Sequence, residues 1–246
     1  MAIILTMVAL GTLLGFVGAG GAGFIIAILT LVFKVPIYQA LGTSLAAMIF
    51  TSLSGAYSHF REGNVVLKVG LITGGFGALG AFMGSKIAFI FPSYILPWLT
   101  AGMLFLSSFL LLTRLFMVKN RKENPNGNFS FLLGRAAVLG GIFGIVSGTV
   151  GIGCAPFIQI GLYTLLGLSI RQSVGTTMLV IVPIAIGGGV GYISEGYLDL
   201  ILLFQVLVGT IFGAYVGAKF TNFAPQSFLK VTMVGTPVLA GFLLLI

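Results

Sequence analysis

Gly18-Ala19-Gly20-Gly21-Ala22-Gly23 lies inside an otherwise apolar N-terminal segment, and a matching stretch, Gly151-Ile152-Gly153-Cys154-Ala155-Pro156, follows 133 positions later. Around these two stretches the halves of the chain match without gaps. The matched positions include Gln39 and Gln172, Gly42-Thr43 and Gly175-Thr176, Glu62-Gly63 and Glu195-Gly196, and Lys86 and Lys219. The sequence therefore predicts a duplicated fold in which each half carries a helix-breaking, glycine-rich segment, an arrangement typical of membrane transporters.

Composition places the chain in a bilayer. Hydrophobic residues make up 58% of the chain and charged residues only 7%, which is too few for a water-exposed surface. Apolar segments long enough to cross about 30 Å of hydrocarbon recur near 37–57, 65–90, 93–118, 169–192, 197–220 and 226–246. The fold class predicted from this pattern is an all-α polytopic membrane protein.

The reactive residues exclude several kinds of site. Cys154 is the only cysteine and His59 the only histidine, so the sequence predicts neither an internal disulfide nor a cysteine or histidine metal centre, and it suggests no cofactor. The net charge is +8, but the basic residues stand at segment ends, where they orient a membrane protein. We therefore expect no nucleic-acid partner.

A hydrophilic linker divides the chain into two units. The run Lys119-Asn120-Arg121-Lys122-Glu123-Asn124 is polar and continues into turn-forming residues. We predict a first transmembrane repeat over residues 1–118, a basic linker over 119–129 and a second transmembrane repeat over 130–246. Because this linker is the most basic connection, it is expected to be cytoplasmic.

The threading of the glycine segments decides the topology. Residues 3–33 would form a helix of about 45 Å at 1.5 Å per residue, which is too long for one ordinary span, and the glycines should break it. If both pieces continue in one direction, each repeat crosses the membrane four times and the repeats are parallel. If the pieces fold back as a re-entrant hairpin, each repeat has the hairpin plus three transmembrane helices, and the repeats are inverted.

Charge bias favours the hairpin arrangement. It leaves mainly Lys34 and Lys86 outside, whereas the four-crossing arrangement also moves Arg171 and Lys219 outside, against the positive-inside rule. On the cytoplasmic side the hairpin arrangement places Arg61, Arg114, Lys119, Arg121, Lys122, Arg135, Arg171 and Lys219. The prediction of inverted repeats therefore rests on the placement of two basic residues, Arg171 and Lys219.

The breaks are the first candidate binding site. A helix interrupted at membrane depth leaves backbone N–H groups unpaired, and the new helix N-terminus carries about half a positive charge, so it can bind an anion without a charged side chain. The candidate residues are Gly20, Gly21, Ala22, Gly23, Gly153, Cys154 and Ala155. The alternative is that the glycines only allow close helix packing, as the spaced pairs Gly11-Gly15 and Gly80-Gly84 are expected to do.

Polar side chains follow each break. Thr43, Ser44, Thr176 and Thr177 carry hydroxyls that could contact a substrate's oxygens or bond back to their own helices. Gln39 and Gln172, one turn earlier, are amides at matched positions. Lys86 and Lys219 could attract anions or anchor the helix ends at the interface, and Glu62 and Glu195 are interpreted as carboxylates at helix starts.

At these residues the sequence resembles the TauE/SafE family of bacterial and archaeal membrane permeases. The resemblance rests on the paired glycine segments, on Gln-x-x-Gly-Thr-Ser and Gln-x-x-Gly-Thr-Thr, on His59-Phe60-Arg61-Glu62-Gly63-Asn64-Val65, and on Gly80-Ala81-Phe82-Met83-Gly84. It covers nearly the whole chain in order. It implies a multi-pass protein of the prokaryotic cytoplasmic membrane that moves sulfite, sulfoacetate or another small organosulfur anion, generally outward.

The combined expectation is a secondary transporter that holds a small oxyanion near the midplane between two broken-helix N-termini. A passive anion channel and a permease for another small carboxylate or sulfonate remain alternatives, and the coupling ion, with a proton as one candidate, and the oligomeric state, with a homodimer as one candidate, stay open. An enzyme is not expected, because four acidic residues and one histidine supply too few acid–base groups. The expected partners are the anion and membrane lipid.

Overall fold

The computed structural model describes residues 2–17, 22–117, 129–221 and 226–245. Within these residues all regular structure is helical, and ten helices follow one another along the chain. Their bounds are α1 Ala2–Val17, α2 Ala22–Leu31, α3 Ile37–Arg61, α4 Leu67–Ala88, α5 Leu96–Met117, α6 Phe129–Val150, α7 Ala155–Thr164, α8 Ile170–Ser194, α9 Leu200–Thr221 and α10 Gln226–Leu245.

The helices confirm the polytopic membrane class. Among the described residues, five helical stretches are long and apolar enough to cross a membrane: Ile37–Arg61, Leu67–Ala88, Leu96–Thr113, Leu133–Val150 and Ile170–Ser194. The outer surface carries large apolar side chains, including Leu79 at 65%, Phe109 at 59% and Phe204 at 66% exposure. Such a surface is stable against lipid and unstable in water.

The recurring Glu-Gly pairs end helices. Glu62 is the C-cap of α3 and Glu195 the C-cap of α8, and the glycines that follow, Gly63 and Gly196, have φ values of 72° and 75°. Glycine adopts this left-handed conformation without the steric cost of a Cβ, so it stops the helix. The interpretation of both carboxylates as helix-start residues is therefore wrong, because they stand at helix ends.

Helix bounds recur in the two halves of the chain. α2 and α7, α3 and α8, and α4 and α9 begin and end at positions 133 residues apart. The backbone between α2 and α3 turns left-handed at Lys34, with φ 53°, and the matched Gly167 has φ 68°. Equivalent sequence in the two halves thus produces equivalent helices and equivalent turns.

Helix contacts recur as well: a contact between a helix of the first half and one of the second has a matching contact between their counterparts. α1 packs on α9, and the matched pair α6 and α4 also pack together. A Cβ on Gly11 would lie 2.7 Å from the carbonyl oxygen of Thr210, and a Cβ on the matched Gly144 would collide with the carbonyl oxygen of Gly77, the match of Thr210. Each contact joins a helix of one half to a helix of the other, so the halves are interdigitated.

The buried side chains form two cores. The first is built mainly from α1, α2, the N-terminal half of α3, α5, α9 and α10. The second is built mainly from α4, α6, α7 and α8. We refer to these sets as the first and second helix groups; each contains helices from both halves of the chain.

α3 and α8 cross between the two groups in opposite directions. Near its start α3 places Leu45 against Gly188, close to the end of α8, and the matched contact places Met178, near the start of α8, against Gly55. At the helix ends, Gly175 approaches His59 with 2.9 Å between its ideal Cβ and the histidine Cβ. These contacts place the start of α8 beside the end of α3.

α7 returns alongside α6. Gly161 of α7 lies against the side chain of Leu139 in α6. After α7 ends, the carbonyl oxygen of Leu165 accepts a hydrogen bond of 3.0 Å from Nη1 of Arg135, near the start of α6. These two contacts place the second half of α7 and the residue that follows it beside the first half of α6.

Candidate functional site

The break between α6 and α7 is made by left-handed backbone. α6 ends at Val150 and α7 begins at Ala155, and between them Gly151, Gly153 and Cys154 have φ values of 72°, 65° and 46°. A left-handed residue cannot continue a right-handed helix, and only glycine adopts it without steric cost. Cys154 takes this conformation despite its Cβ, so its neighbours hold the backbone in place.

Backbone donors remain unpaired at the break. The N–H of Gly151 donates to the carbonyl oxygen of Ser147 at 2.8 Å, and that of Cys154 donates to Ile152 at 2.8 Å. The N–H groups of Ile152, Gly153 and Ala155 find no acceptor among the described residues. Pro156 stands in the first turn of α7, where its missing N–H costs nothing. The start of α7 therefore offers free donors and the positive end of a helix dipole.

The break lies against residues of α3 and α8. A Cβ on Gly153 would collide with Cε of Met48 in α3 and lie 3.8 Å from Cγ2 of Ile181 in α8. Met48 and Ile181 occupy matched positions in the two halves. Ser44 Oγ donates at 2.8 Å to the carbonyl oxygen of Gly151. The break is thus enclosed between the crossing helices α3 and α8.

The two matched threonines have different partners. Thr43 is fully buried, and its Oγ1 has no hydrogen-bond partner. The Oγ1 of Thr176, also fully buried, accepts a 3.0 Å hydrogen bond from the N–H of Val66, in the connection between α3 and α4. An unpaired buried hydroxyl is unfavourable, so Thr43 keeps an unused hydrogen-bonding group, whereas Thr176 holds the connection between α3 and α4.

The other predicted polar residues are placed as follows. Ser44 bonds to Leu41 and Gly151 carbonyl oxygens, and Thr177 bonds back to the Ser173 carbonyl at 2.7 Å. The side chain of Gln172 accepts from the N–H of Ser169 in a capping box at the start of α8. Gln39 is half-buried near the start of α3. The structure therefore brings Ser44 to the break and uses Gln172 to begin a helix.

The first break is described only in part. Gly20 and Gly21 lie outside the described residues. Ala22 and Gly23 are buried at the start of α2, where Gly23 packs against Leu104. In the second break Gly153 and Cys154 are buried and Ala155 is half-buried.

Charged side chains are found near the helix ends. Lys86 Nζ forms an ion pair with Glu195, and it donates at 2.7 Å to Ser194 Oγ, which joins the end of α4 to the end of α8. His59 Nδ1 lies 3.4 Å from Glu62. The side chain of Lys219 lies outside the described residues. Among the residues that the structure describes, no three His, Cys, Asp or Glu side chains converge as metal ligands.

Sequence reasoning missed three residues beside the break. Met48 and Ile181 are apolar residues in apolar helices, so no local pattern distinguishes them from lipid-facing positions. Tyr192 is fully buried, and its hydroxyl donates at 3.1 Å to the carbonyl oxygen of Gly148. The match between the halves did not reveal it, because its counterpart is His59.

Comparison with known proteins agrees with this architecture. The family described as sulfite exporter TauE/SafE matches residues 3–244. The chain is 60% identical over 245 residues to the probable membrane transporter protein YdhB of Bacillus subtilis (strain 168), with 100% of both chains covered. The probable membrane transporter protein YjnA of the same organism is 27% identical, with 92% of each chain covered. No solved structure shows significant similarity to the chain.

A more distant relative carries a similar description. A probable membrane transporter protein of Haemophilus influenzae is 26% identical, with 89% of this chain and 88% of the relative covered. These three relatives are thus named as membrane transporters. The resemblance inferred from the glycine breaks and the paired motifs is confirmed, and the chain belongs to the sulfite exporter TauE/SafE family of membrane transporters.

Proposed function

We propose that this protein is a secondary transporter that exports a small sulfur oxyanion, of the sulfite or sulfoacetate class, and that the break between α6 and α7 forms half of its binding site. The observation that carries this proposal is a helix N-terminus between α3 and α8, with unpaired N–H donors at the buried Gly153 and the half-buried Ala155. An oxyanion with several acceptor oxygens suits a site built from convergent N–H groups and hydroxyls. The description of the family as sulfite exporters supports the sulfur class and the outward direction.

The second half of the site is expected from the duplication. α1 and α2 flank the first glycine stretch as α6 and α7 flank the second, and α2 has the same length as α7. A second N-terminus near Gly20, Gly21 and Ala22 would approach the anion from the opposite repeat. Thr43, whose buried hydroxyl is unpaired, would add a side-chain donor.

The topology that we propose has two inverted repeats, each with a re-entrant hairpin and three transmembrane helices. The return of α7 along α6 and the opposite directions of α3 and α8 support it. Arg61, Lys68, Arg135 and Arg171 stand near one end of the helices, whereas Lys34 and Lys86 stand near the other. By the positive-inside rule the first end is cytoplasmic, in the cytoplasmic membrane of a bacterium like those of the relatives.

The substitution Gly153→Val tests the site. Left-handed backbone costs a non-glycine residue about 1–2 kcal/mol, and the added methyl groups would fill the space beside Met48. We expect purified Gly153→Val to insert and remain monodisperse but to lose flux of radiolabelled sulfite, sulfoacetate and sulfate in proteoliposomes. The control is Gly189→Val, at a helical glycine whose Cβ would meet nothing within 4 Å. Flux near the wild-type level in Gly153→Val would refute the proposed site.

The same vesicles separate a carrier from a channel. A carrier coupled to a proton or another ion accumulates the anion against its own gradient when the ion gradient is imposed, and its rate saturates with concentration. Uphill, saturable flux is the expected result. Flux that only follows the anion's own gradient would establish a channel in place of the carrier.

Two matched cysteine substitutions test the topology. Glu62→Cys and Glu195→Cys place thiols at equivalent, exposed helix ends. Inverted repeats put these positions on opposite sides of the membrane, whereas parallel repeats put them on the same side. In intact cells we expect a membrane-impermeant maleimide to label position 195 and to leave position 62 unlabelled. Equal labelling of both positions would contradict inversion.

A further inference from the structure

Four aromatic rings meet at the end of the molecule that carries Lys86 and Glu195. Phe89 follows α4, and its ring centroid lies 5.2 Å from Tyr38, 5.4 Å from Tyr192 and 5.1 Å from Tyr197. Tyr38 and Tyr197 are also 5.2 Å apart. We call these four residues the aromatic cluster. Phe89 contacts every other member, so it is the centre of the cluster.

The aromatic cluster joins the two helix groups. Tyr38 belongs to α3 of the first group, whereas Tyr192 belongs to α8 of the second and Phe89 directly follows α4 of the second. Tyr192 is fully buried and contributes to the first core, and Phe89 packs against that core. Phe89 and Tyr192 therefore anchor the ends of α4 and α8, which belong to the second group, in the first core.

The opposite end of the molecule has no such cluster at the matched positions. The residues that match Tyr38, Tyr192 and Tyr197 are Arg171, His59 and Asn64. Arg171 is exposed, and His59 and Asn64 are half-buried. Two ends that the duplication would make alike thus differ in chemistry, with packed aromatic rings at one end and polar, partly or fully exposed side chains at the other.

The cluster is also connected to the break. The hydroxyl of Tyr192 donates to the carbonyl oxygen of Gly148, which stands three residues before Gly151. On its other side Tyr192 packs against Gly42, whose ideal Cβ would lie 2.9 Å from the tyrosine Cβ. A movement of the Tyr192 ring would therefore change both the last turn of α6 and the position of α3.

We propose that the aromatic cluster is a gate that closes this end of the anion pathway, and that the hydrogen bond of Tyr192 couples the gate to the break. The proposal rests on the proposed function, because it takes the break as part of the pathway. In the structure the four rings are in contact with one another, and this arrangement is the closed state of the proposed gate. Opening moves the second helix group away from Tyr38 and exposes the break to water at this end.

The natural cysteine supplies the test. Cys154 is the only cysteine of the chain, lies within the break and is 1% exposed. Its labelling by a membrane-impermeant maleimide reports access to the break without any substrate. The labelling rate of Cys154 is measured in two kinds of vesicle, which expose opposite ends of the protein to the maleimide. In a separate preparation, labelling of Glu195→Cys, whose added thiol stands at the gated end, identifies the vesicles that expose this end.

We expect Phe89→Ala to raise the labelling rate of Cys154 from the gated end by about tenfold or more, because removing the central ring shifts the population towards open states. Phe89→Leu should give a smaller increase, and Tyr192→Phe, which keeps the ring and loses the hydrogen bond, should also raise the rate. The control is Tyr94→Ala, at a tyrosine of the same end that is 71% exposed and lies outside the cluster.

The outcomes are distinct. Unchanged labelling from the gated end in Phe89→Ala and Phe89→Leu, with both proteins monodisperse, would overturn the gate. An equal increase from both ends would also overturn it, because that result indicates general loosening. Failure of the proposed function has a different signature: wild-type protein would move no sulfur oxyanion, and the labelling pattern would be unaffected.

Discussion

At the scale of single residues, hydrogen bonding distinguishes two buried threonines that the sequence presents as equivalents. Thr43 and Thr176 occupy matched positions and are both fully buried. Only Thr176 has an assigned bond, from the N–H of Val66. Removing a hydroxyl that pairs a buried donor leaves that donor unsatisfied, whereas removing an unpaired hydroxyl removes a desolvation cost.

We therefore predict opposite effects for the isosteric substitutions Thr43→Val and Thr176→Val. Thr176→Val should lower the free energy of unfolding by about 1–3 kcal/mol, and Thr43→Val should leave it unchanged or raise it. If Thr43 contacts the anion, Thr43→Val should also raise the apparent KM for sulfite flux. Thermal unfolding in detergent measures the first effect and proteoliposome flux the second. Equal destabilisation by both substitutions would contradict the assignment.

The sequence identified the break itself but could not distinguish these two hydroxyls. Gly153 is recognisable because consecutive glycines interrupt an apolar helix and recur in the other half. The partner of Thr176 is a backbone N–H more than a hundred residues earlier in the chain, and no local pattern predicts it. The sequence likewise made Gln172 a candidate ligand, whereas in the structure its side chain caps the start of α8.

At the scale of helices, glycine allows backbones to touch. A Cβ on Gly144 of α6 would collide with backbone atoms of Gly77 in α4, and one on Gly148 would collide with Ala81. Backbone atoms cannot rotate away as a side chain can, so the two helices would have to separate. Such close contacts replace the hydrophobic effect as the source of helix association inside a bilayer.

We predict that Gly144→Ala destabilises the protein, whereas Gly141→Ala on the same helix does not. Overpacking of this kind costs about 1–3 kcal/mol, and the Cβ at position 141 would meet nothing within 4 Å. Both substitutions increase helix propensity equally, so the pair isolates the packing effect. Thermal unfolding of the purified variants in one detergent provides the measurement. A loss of stability in Gly141→Ala as large as that in Gly144→Ala would show that interhelical packing is not the cause.

The sequence predicts where the helices lie along the chain, but it says less about the direction in which each helix runs after a glycine break. Hydropathy located the spans, and the glycine stretches located the breaks within a few residues of Val150 and Ala155. Two charges alone favoured a hairpin over a continued crossing. The contact between Arg135 and the Leu165 carbonyl that supports the hairpin depends on tertiary packing, which hydropathy does not encode.

At the scale of the whole molecule, the two halves of the chain share their cores. α1 of the first half packs on α9 of the second, and α4 of the first packs on α6 and α8 of the second. Neither half therefore buries its own glycine-lined helix faces, although each has all the helices of a repeat. The boundary predicted at residues 119–129 divides the sequence, but it does not divide the packing into two independent domains.

This arrangement predicts how the chain behaves when it is cut at the linker. Residues 1–128 and 129–246, expressed as separate polypeptides in one cell, should associate in the membrane and co-purify as a stable pair. Either half expressed alone should aggregate on extraction, because its α4 or α9 surface lacks the matching helix. Tagging one half and measuring recovery of the other tests the association.

Gly144, which packs against α4, and Gly141, which does not, supply a matched pair of substitutions for this experiment. Gly144→Leu in the second half should abolish co-purification, because the side chain fills the place where α4 lies, whereas Gly141→Leu should permit it, since that position faces open space. A monodisperse, cooperatively unfolding second half in the absence of the first would contradict the shared cores. It would also remove the basis for the two helix groups, because α4 of the first half packs in the second group and α9 of the second half packs in the first.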